Sequence, residues 1–308
     1  MRICSLLPSI TETLFELGLG DSVVAVTHEC DWPPQARAKP AVTRSRVQVE
    51  GRSSADIDQQ VRDHSGALYD LDTDALARLR PDLILTQSLC AVCAVDETSV
   101  RAAAASLPGA VTVASFSPTC LADVLAIIEQ MGRLTHATAA ADELRQRFNS
   151  GIDRVRTPLG AEAARPRFVF LEWTDPPFTC GHWTPELVQI AGGMELLGRQ
   201  GQPSRRTSWE DLAAADPDVL LIAPCGFTLA RTLEELPALE RQPVWHTLRP
   251  VREGRVFSAD GSAYFNRPGP RLIESLHILA EVLHPERFAG LAPQNSFQRI
   301  LPAGRMNG

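Results

Sequence analysis

Two loops concentrate the side chains that could do chemistry. The first reads Thr27-His28-Glu29-Cys30-Asp31-Trp32-Pro33-Pro34. The second reads Glu172-Trp173-Thr174-Asp175-Pro176-Pro177-Phe178-Thr179-Cys180-Gly181-His182-Trp183. Both gather imidazole, thiol, carboxylate and aromatic groups beside a Pro-Pro pair. Imidazoles and thiolates ligate soft or borderline metals. A third segment, Cys90-x-x-Cys93, supplies two more thiols, and Cys225 another. His28, Cys30, Cys90, Cys93 and His182 are thus the candidate metal ligands, for zinc, iron or the metal of a bound chelate. A closed zinc site needs four such ligands, so these loops must converge to make one. The plain alternative is a set of small buried thiols beside a helix start.

The aromatic set offers different chemistry. Trp32, Phe178 and Trp183 sit among polar, Pro or Gly neighbours, as a ligand wall requires. Tyr264 is a further candidate, while Phe265 reads as core. His182 and Glu186 straddle Thr184-Pro185. They resemble an acid/base pair, but Glu in a first turn complements the helix dipole without any chemistry. No nucleophile elbow, Walker loop or dinucleotide fingerprint is present. His64, His136, His246, His277 and His284 read as surface or packing residues.

The elements that position these loops alternate between strand and helix. Each loop follows a short apolar run, Val23 to Val26 or Phe168 to Leu171, as a buried strand would be written. In open α/β sheets ligands bind beyond the carboxyl ends of strands. Ser9-Ile10-Thr11-Glu12 reads as a capping box, and Ile10, Leu14 and Leu17 as one helical face. Ser53 to about Gly66 reads as a helix with Ile57 and Val61 inward. Asp72 caps a short helix carrying Leu76 and Leu79. Leu83 to Thr86 and Val111 to Val113 read as strands. From Ser117-Pro118 the apolar stripe Leu121, Val124, Leu125, Ile128, Met131, Leu134, Leu144, Phe148, Ile152, Val155 predicts one helix over 118–156, about 55 Å long if unbroken. The alternation restarts after Pro166: Pro185 to Ala191 helical, Ser208 a cap, Val219 to Ala223 and Arg255 to Ser258 strands, Pro270 to Leu283 a closing helix. The predicted organisation is an α/β lobe over 1–116, a connecting helix over 117–157, a second α/β lobe over 158–290 and a frayed tail over 291–308. Pro81-Asp82-Leu83-Ile84 and Pro217-Asp218-Val219-Leu220 mark a plan shared by both halves.

Composition bounds the function. The chain has 308 residues, 44% hydrophobic and 22% charged, enough for two ordinary cores. A net charge of −7 without any basic run argues against nucleic acid. No apolar stretch reaches the length of a membrane span. Met1-Arg2 runs straight into an apolar strand, leaving no room for a signal peptide. The expected location is therefore the cytoplasm, or outside it if the start is misassigned. Seven cysteines, odd in number and widely spaced, argue against a disulfide framework.

Five segments, RICSLLPSITETLFELGLGDSVVAVTHECDWPPQA, LARLRPDLILTQ, DPPFTCGHWTPELVQIAGGMELLG, SWEDLAAADPDVLLI and YFNRPGPRLIESL, resemble in content and order the helical-backbone (class III) substrate-binding proteins of ABC importers. Within that family the chain resembles the vitamin B12-binding type, and the resemblance spans roughly 1 to 285. It implies two Rossmann-like lobes joined by one long helix, with a ligand in the cleft between them and no catalysis. Its ligand residues match Trp32, Phe178 and Arg267. The family's acid four positions before the arginine is Ala263 here. The acids that dock the importer match Asp74 and Glu210. Residues 43 to 72 are longer than in the B12 receptor, and 87 to 95 have no counterpart there. In this the chain resembles signal-less proteins of the cobalamin-binding group. The implied function is a binding protein for a corrinoid such as cobalamin, or a similar metal chelate. The competing reading is a cytosolic Cys/His metalloprotein or metal-dependent enzyme on the same fold.

Overall fold

The computed structural model describes residues 1–64, 67–88, 95–160 and 164–301. The chain forms two compact units. The first comprises Met1–Arg52, Asp56–Pro118 and Ala122–Arg147; the second takes Ser53–Ala55, Thr119–Leu121 and everything from Phe148 onward.

The first unit runs Ile3–Ser5 (β1), Pro8–Glu16 (α1), Val23–Ala25 (β2), Thr43–Ser45 (β3), Ser54–Asp63 (α2), Tyr69–Leu71 (β4), Thr73–Leu79 (α3), Leu83–Gln87 (β5), Glu97–Ser106 (α4) and Thr112–Phe116 (β6). Its main sheet has the order β2-β1-β5-β6, parallel throughout. Parallel strands are covered on both faces, which is why they read as unbroken apolar runs. Cys4, Ala25 and Ile84 of this sheet join Leu6, Leu76 of α3 and Val100 of α4 in one core. β3 and β4 form a separate antiparallel pair.

Leu121–Leu134 (α5) and Thr138–Leu159 (α6) follow. The single helix expected over 118–156 is therefore two. α5 starts at Leu121, not at Ser117-Pro118, and ends where His136 adopts φ 58. That left-handed residue lets Ala137 N–H reach back to Gly132 O at 2.8 Å, a helix-terminating bond. Gly132 also admits the next helix, because a β-carbon there would lie 2.5 Å from that of Ala141. The boundary between the two units falls inside α6.

The second unit runs Arg167–Thr174 (β7), Pro177–Thr179 (β8), Thr184–Ile190 (α7), Met194–Glu195 (β9), Trp209–Ala215 (α8), Val219–Ile222 (β10), Leu229–Leu233 (α9), Leu236–Glu240 (α10), Arg249–Arg252 (α11), Val256–Ala259 (β11), Leu272–Leu283 (α12), Pro285–Phe288 (α13) and Phe297–Ile300 (β12). The sheet order is β12-β11-β10-β7-β8. β7, β10 and β11 are parallel; the edges β8 and β12 are antiparallel. Within the tail expected to fray from 291, Phe297–Ile300 instead forms a strand that pairs along β11. Val169, Leu171, Leu220 and Ile222 form a core with Trp209, Leu212 and Trp245.

The predicted caps divide. Asp72 Oδ1 accepts from Ala75 N–H at 2.7 Å and Ser208 Oγ from Asp211 N–H at 3.0 Å, as expected. The box at Ser9 does not form. Pro8 opens α1 one residue earlier, which puts Ser9 inside the helix, and Leu7 is a cap without a side-chain bond. The shared Pro-Asp plan is a built bracket. Asp82 Oδ2 accepts Arg2 N–H at 2.7 Å, and Arg2 Nε donates to Leu79 O at 2.8 Å. Asp218 Oδ2 accepts Arg167 N–H at 2.8 Å, and Arg167 Nε donates to Asp216 O at 3.0 Å.

Candidate functional site

In the second unit, three loops leave the carboxyl ends of β7, β10 and β11 and tie into one another. Cys225 N–H donates to Glu172 O at 2.9 Å, and Ser262 N–H to Phe227 O at 3.0 Å. Phe227 packs against Trp173 at 5.1 Å, and the Arg231 guanidinium lies over the Phe227 ring at 4.3 Å. Beneath them Glu235, 4% exposed, collects three donors. Arg231 Nη2 lies at 2.7 Å, Ser54 Oγ at 2.6 Å and Thr174 Oγ1 at 3.2 Å. A carboxyl group this buried needs such partners to replace its lost hydration.

After β11 the chain makes a π-helical turn over Gly261–Phe265. Asp260 Oδ1 caps it by accepting Ala263 N–H at 2.7 Å. Arg267 follows, 6% exposed, with Nη2 donating to Ser262 Oγ at 3.2 Å. The half-buried Tyr264 ring lies 4.6 Å from the Arg271 guanidinium, and burial raises its phenol above the usual range. Arg271 Nε donates to Glu274 at 3.0 Å, and Ser275 Oγ to Tyr264 O at 2.6 Å.

Phe178 stands on β8, half-buried, opposite Arg206 in an antiparallel bridge. Trp183 lies inside. It is 6% exposed, and its indole N–H donates to Phe265 O at 3.0 Å. This bond anchors the turn that delivers Arg267. His182 stacks on Trp183 at 5.5 Å with φ 50, a conformation that costs of order 1 kcal/mol outside glycine. Burial lowers its imidazole pKa. Gly181 before it has no alternative, since a β-carbon would lie 2.5 Å from Gln202 O and Ser204 N. Glu186 Oε2 accepts Leu121 N–H at 3.0 Å, so its duty is to cap α5. Below the loop, burial pushes the Glu195 carboxyl up to about 7 although Phe170, Leu197 and Gly198 N–H groups donate to it.

In the first unit the loop after β2 carries His28, Cys30 and Trp32. Trp32 is 43% exposed. Cys30 is 4% exposed, with Thr11 Oγ1 and Thr27 Oγ1 each 3.1 Å from its sulfur. His28 is exposed, with Nδ1 2.8 Å from Thr43 Oγ1. The peptide bonds Trp32–Pro33 and Asp175–Pro176 are both cis. Cys90 and Cys93 lie outside the described residues. Among the described residues no three His, Cys, Asp or Glu side chains gather as a metal-holding group. Asp74 and Glu210 occupy matching places, exposed in the first turns of α3 and α8. No described helix is long and apolar enough to cross a membrane.

Sequence reasoning missed Glu235, Arg231 and Thr174. Arg231 and Glu235 are spaced like an ordinary surface ion pair, and nothing local announces their distant partners. It also missed Thr43 and Tyr69, which hold His28.

Comparison with known proteins places this geometry. The chain is 25% identical over 297 residues to an uncharacterised ABC transporter substrate-binding lipoprotein, YvrC, of Bacillus subtilis, covering 93% of this chain and 81% of that one. It is 24% identical over 291 residues to the vitamin B12-binding protein of Photorhabdus laumondii, covering 92% and 88%. Among solved structures it resembles the periplasmic heme-binding protein BhuT in complex with two hemes, with TM-score 0.69, 25% identity and coverage of 92% and 98%. The sequence model described as periplasmic binding protein matches residues 3–263, and with it the chain belongs to that α/β family of non-enzymatic ABC substrate-binding proteins.

Proposed function

We propose that this chain binds a corrinoid, cobalamin first among them, or a similar metal chelate such as heme, for delivery to an ABC importer. The observation that carries the reading is the ligand edge of the second sheet. There a nearly buried guanidinium, Arg267, stands on the same edge as the half-buried aromatic faces of Phe178 and Tyr264. A corrinoid is a large, mostly apolar disc with a fringe of amides. Aromatic faces suit the disc, and one held arginine suits the fringe. The similarity to a vitamin B12-binding protein of Photorhabdus and to the heme-binding protein BhuT supports the same ligand class. Asp74 and Glu210 are the side chains we assign to importer docking; both are exposed and at equivalent helix positions.

The test is a titration of the purified protein with cobalamin, followed by absorbance and calorimetry. Phe178→Ala is expected to cost about 1–3 kcal/mol of binding, the burial of one large side chain, and Trp32→Ala is expected to act in the same range. No spectral or thermal response at high micromolar cobalamin would end the corrinoid reading. Metal analysis of the same sample separates it from the metalloprotein reading, which requires stoichiometric metal before any chelate is added.

A further inference from the structure

Phe170 is where one edge of β7 changes partners. Before it, β9 runs parallel, with Leu196 N–H donating to Phe168 O at 3.0 Å. At Phe170 the antiparallel β8 side takes over, with Cys180 N–H donating to Phe170 O at 3.2 Å. The Phe170 N–H falls between these two neighbours, on a residue with 0% exposure. A buried N–H must find an acceptor. Glu195 supplies one with its side chain, and Oε2 accepts Phe170 N–H at 3.1 Å. The other oxygen, Oε1, accepts Leu197 N–H at 3.0 Å and Gly198 N–H at 2.9 Å. The Cys180 thiol hydrogen-bonds the same carboxyl. The turn closes tightly on this group, since a β-carbon on Gly198 would lie 2.6 Å from Cys180 Sγ. One carboxyl thus joins β7 to the start of loop 196–207. Further along, that loop lies against β8 and the residues after it. Gln202 O accepts His182 N–H at 2.7 Å, Arg205 O accepts Thr179 N–H at 2.9 Å, and Thr207 N–H donates to Pro177 O at 2.9 Å. Phe178 is therefore held from both sides, opposite Trp173 of β7 and opposite Arg206 of the loop.

We propose that Glu195 is a positioning residue for the ligand edge of the second unit, a clasp whose ionised form holds the Phe178 strand in its binding geometry and whose protonation loosens it. This rests on the receptor reading above and adds to it a dependence on protons. Three backbone N–H groups and a thiol are bonded to the carboxyl, and an ionised carboxyl, which only accepts, satisfies them all. A protonated one brings an O–H of its own. Among its four partners only the Cys180 sulfur can receive that hydrogen, and the oxygen that carries it, Oε2, becomes a weaker acceptor for Phe170 N–H. Burial opposes the charge, the donors favour it, and the balance lies at about 7. The surrounding titratable groups are few among the described residues. The thiol of Cys180 comes from the β8 side, with Glu172 of β7 acting on it. Arg205 of the loop sends Nη2 to Leu197 O at 3.3 Å. Glu186 of α7 is committed to Leu121 N–H, and His284 beyond α12 lies against Gly192. Loading requires the closed clasp, so the loaded protein holds the Glu195 proton less tightly than the empty one. Loading then releases protons near neutral pH, and affinity rises as pH rises through that region.

The experiment titrates the full chain calorimetrically with cyanocobalamin, whose charge does not change over the range used. Binding is expected to be about fivefold tighter at about pH 8.5 than at about pH 6, the effect of lowering one pKa near 7 by about one unit on loading. Titrations near pH 7 in two buffers of different ionisation enthalpy should show release of about 0.4 proton per molecule bound. Glu195→Gln keeps the shape and stays neutral. It should bind about tenfold more weakly than the parent at the alkaline end, with a flat pH profile and no proton release. A melting curve confirms that this variant is folded, and the proton release of the parent protein tests the clasp without any variant. Flat affinity and no proton release in the parent overturn the proposal and leave the receptor reading standing. A folded Glu195→Gln with the parent's pH profile overturns it, and so does loss of the release in His182→Gln, which would assign the proton to that imidazole. Absence of cyanocobalamin binding at every pH removes both readings.

Discussion

Trp183 separates a supporting role from a ligand-touching one. Replacing it by phenylalanine removes the indole N–H that Phe265 O accepts at 3.0 Å, at a site 6% exposed. A buried carbonyl left without its donor costs about 1–3 kcal/mol. The smaller ring also returns roughly 40 Å² of apolar contact, about 1 kcal/mol at 25 cal/mol per Å². The sum is about 2–4 kcal/mol. For domains of this size each kcal/mol moves the midpoint by about 2–4 °C, so Trp183→Phe should melt roughly 4–16 °C lower. Protein that remains folded should bind cobalamin within about threefold of the parent, because so little of Trp183 is reachable. Phe178→Ala should do the reverse, with little change in melting and a clear loss of affinity. Calorimetric melting and a cobalamin titration on both variants form the assay. An unchanged melting point for Trp183→Phe with a tenfold loss of affinity would refute the reasoning and place the indole against the ligand.

The buried carboxylate Glu235 gives a second test. Ser54→Ala deletes its 2.6 Å donor and should lower stability by about 1 kcal/mol, while Glu235→Ala, which removes the shared acceptor of Arg231 and two hydroxyls, should cost about 2–4 kcal/mol in urea unfolding. Equal midpoints for both variants and the parent would remove the constellation from the fold's energetics. The pH response has a defined sign. Burial lowers the pKa of His182, His277 and His284, so each takes up a proton more readily when unfolded. Their contribution is complete above the unfolded value of about 6.5 and is lost as pH falls through the lower folded values. The melting point should therefore drop between pH 7.5 and 5, with a shallower slope in His277→Gln; a slope identical to the parent's would show that His277 is not part of it.

Much of the fold was legible because its signals are local. Short apolar runs such as Phe168 to Leu171 and Val219 to Ala223 announce strands covered on both faces. Asp72 and Ser208 announce helix starts by chemistry contained within three residues. The break at 135–137 escaped notice because the apolar stripe keeps its period across it, and the terminating left-handed residue is a histidine rather than a glycine. Phe297–Ile300 escaped because a polar, proline-flanked edge strand looks like a tail until β11 pairs with it. At the candidate site, the loops themselves were visible, and so were their aromatic, imidazole and thiol side chains. What fixes them was not. Thr43 and Tyr69 hold His28 from 15 and 41 positions away, and Ser54 reaches Glu235 across 181. Such contacts exist only once the sheet has folded.

The Arg2–Asp82 and Arg167–Asp218 brackets carry a consequence for how this molecule can change. Both close the amino ends of parallel strands, opposite the ends from which the candidate site loops emerge. A side chain that grips the backbone N–H beside a neighbouring strand fixes the register before any loop residue is consulted. Anchoring and the proposed recognition thereby fall on opposite rims of each sheet. A loop such as 27–34 or 174–183 can be rewritten, shortened or transplanted without renegotiating strand alignment. The bracket is what makes the base of each unit a reusable chassis, on which selection or an engineer can exchange one cargo specificity for another.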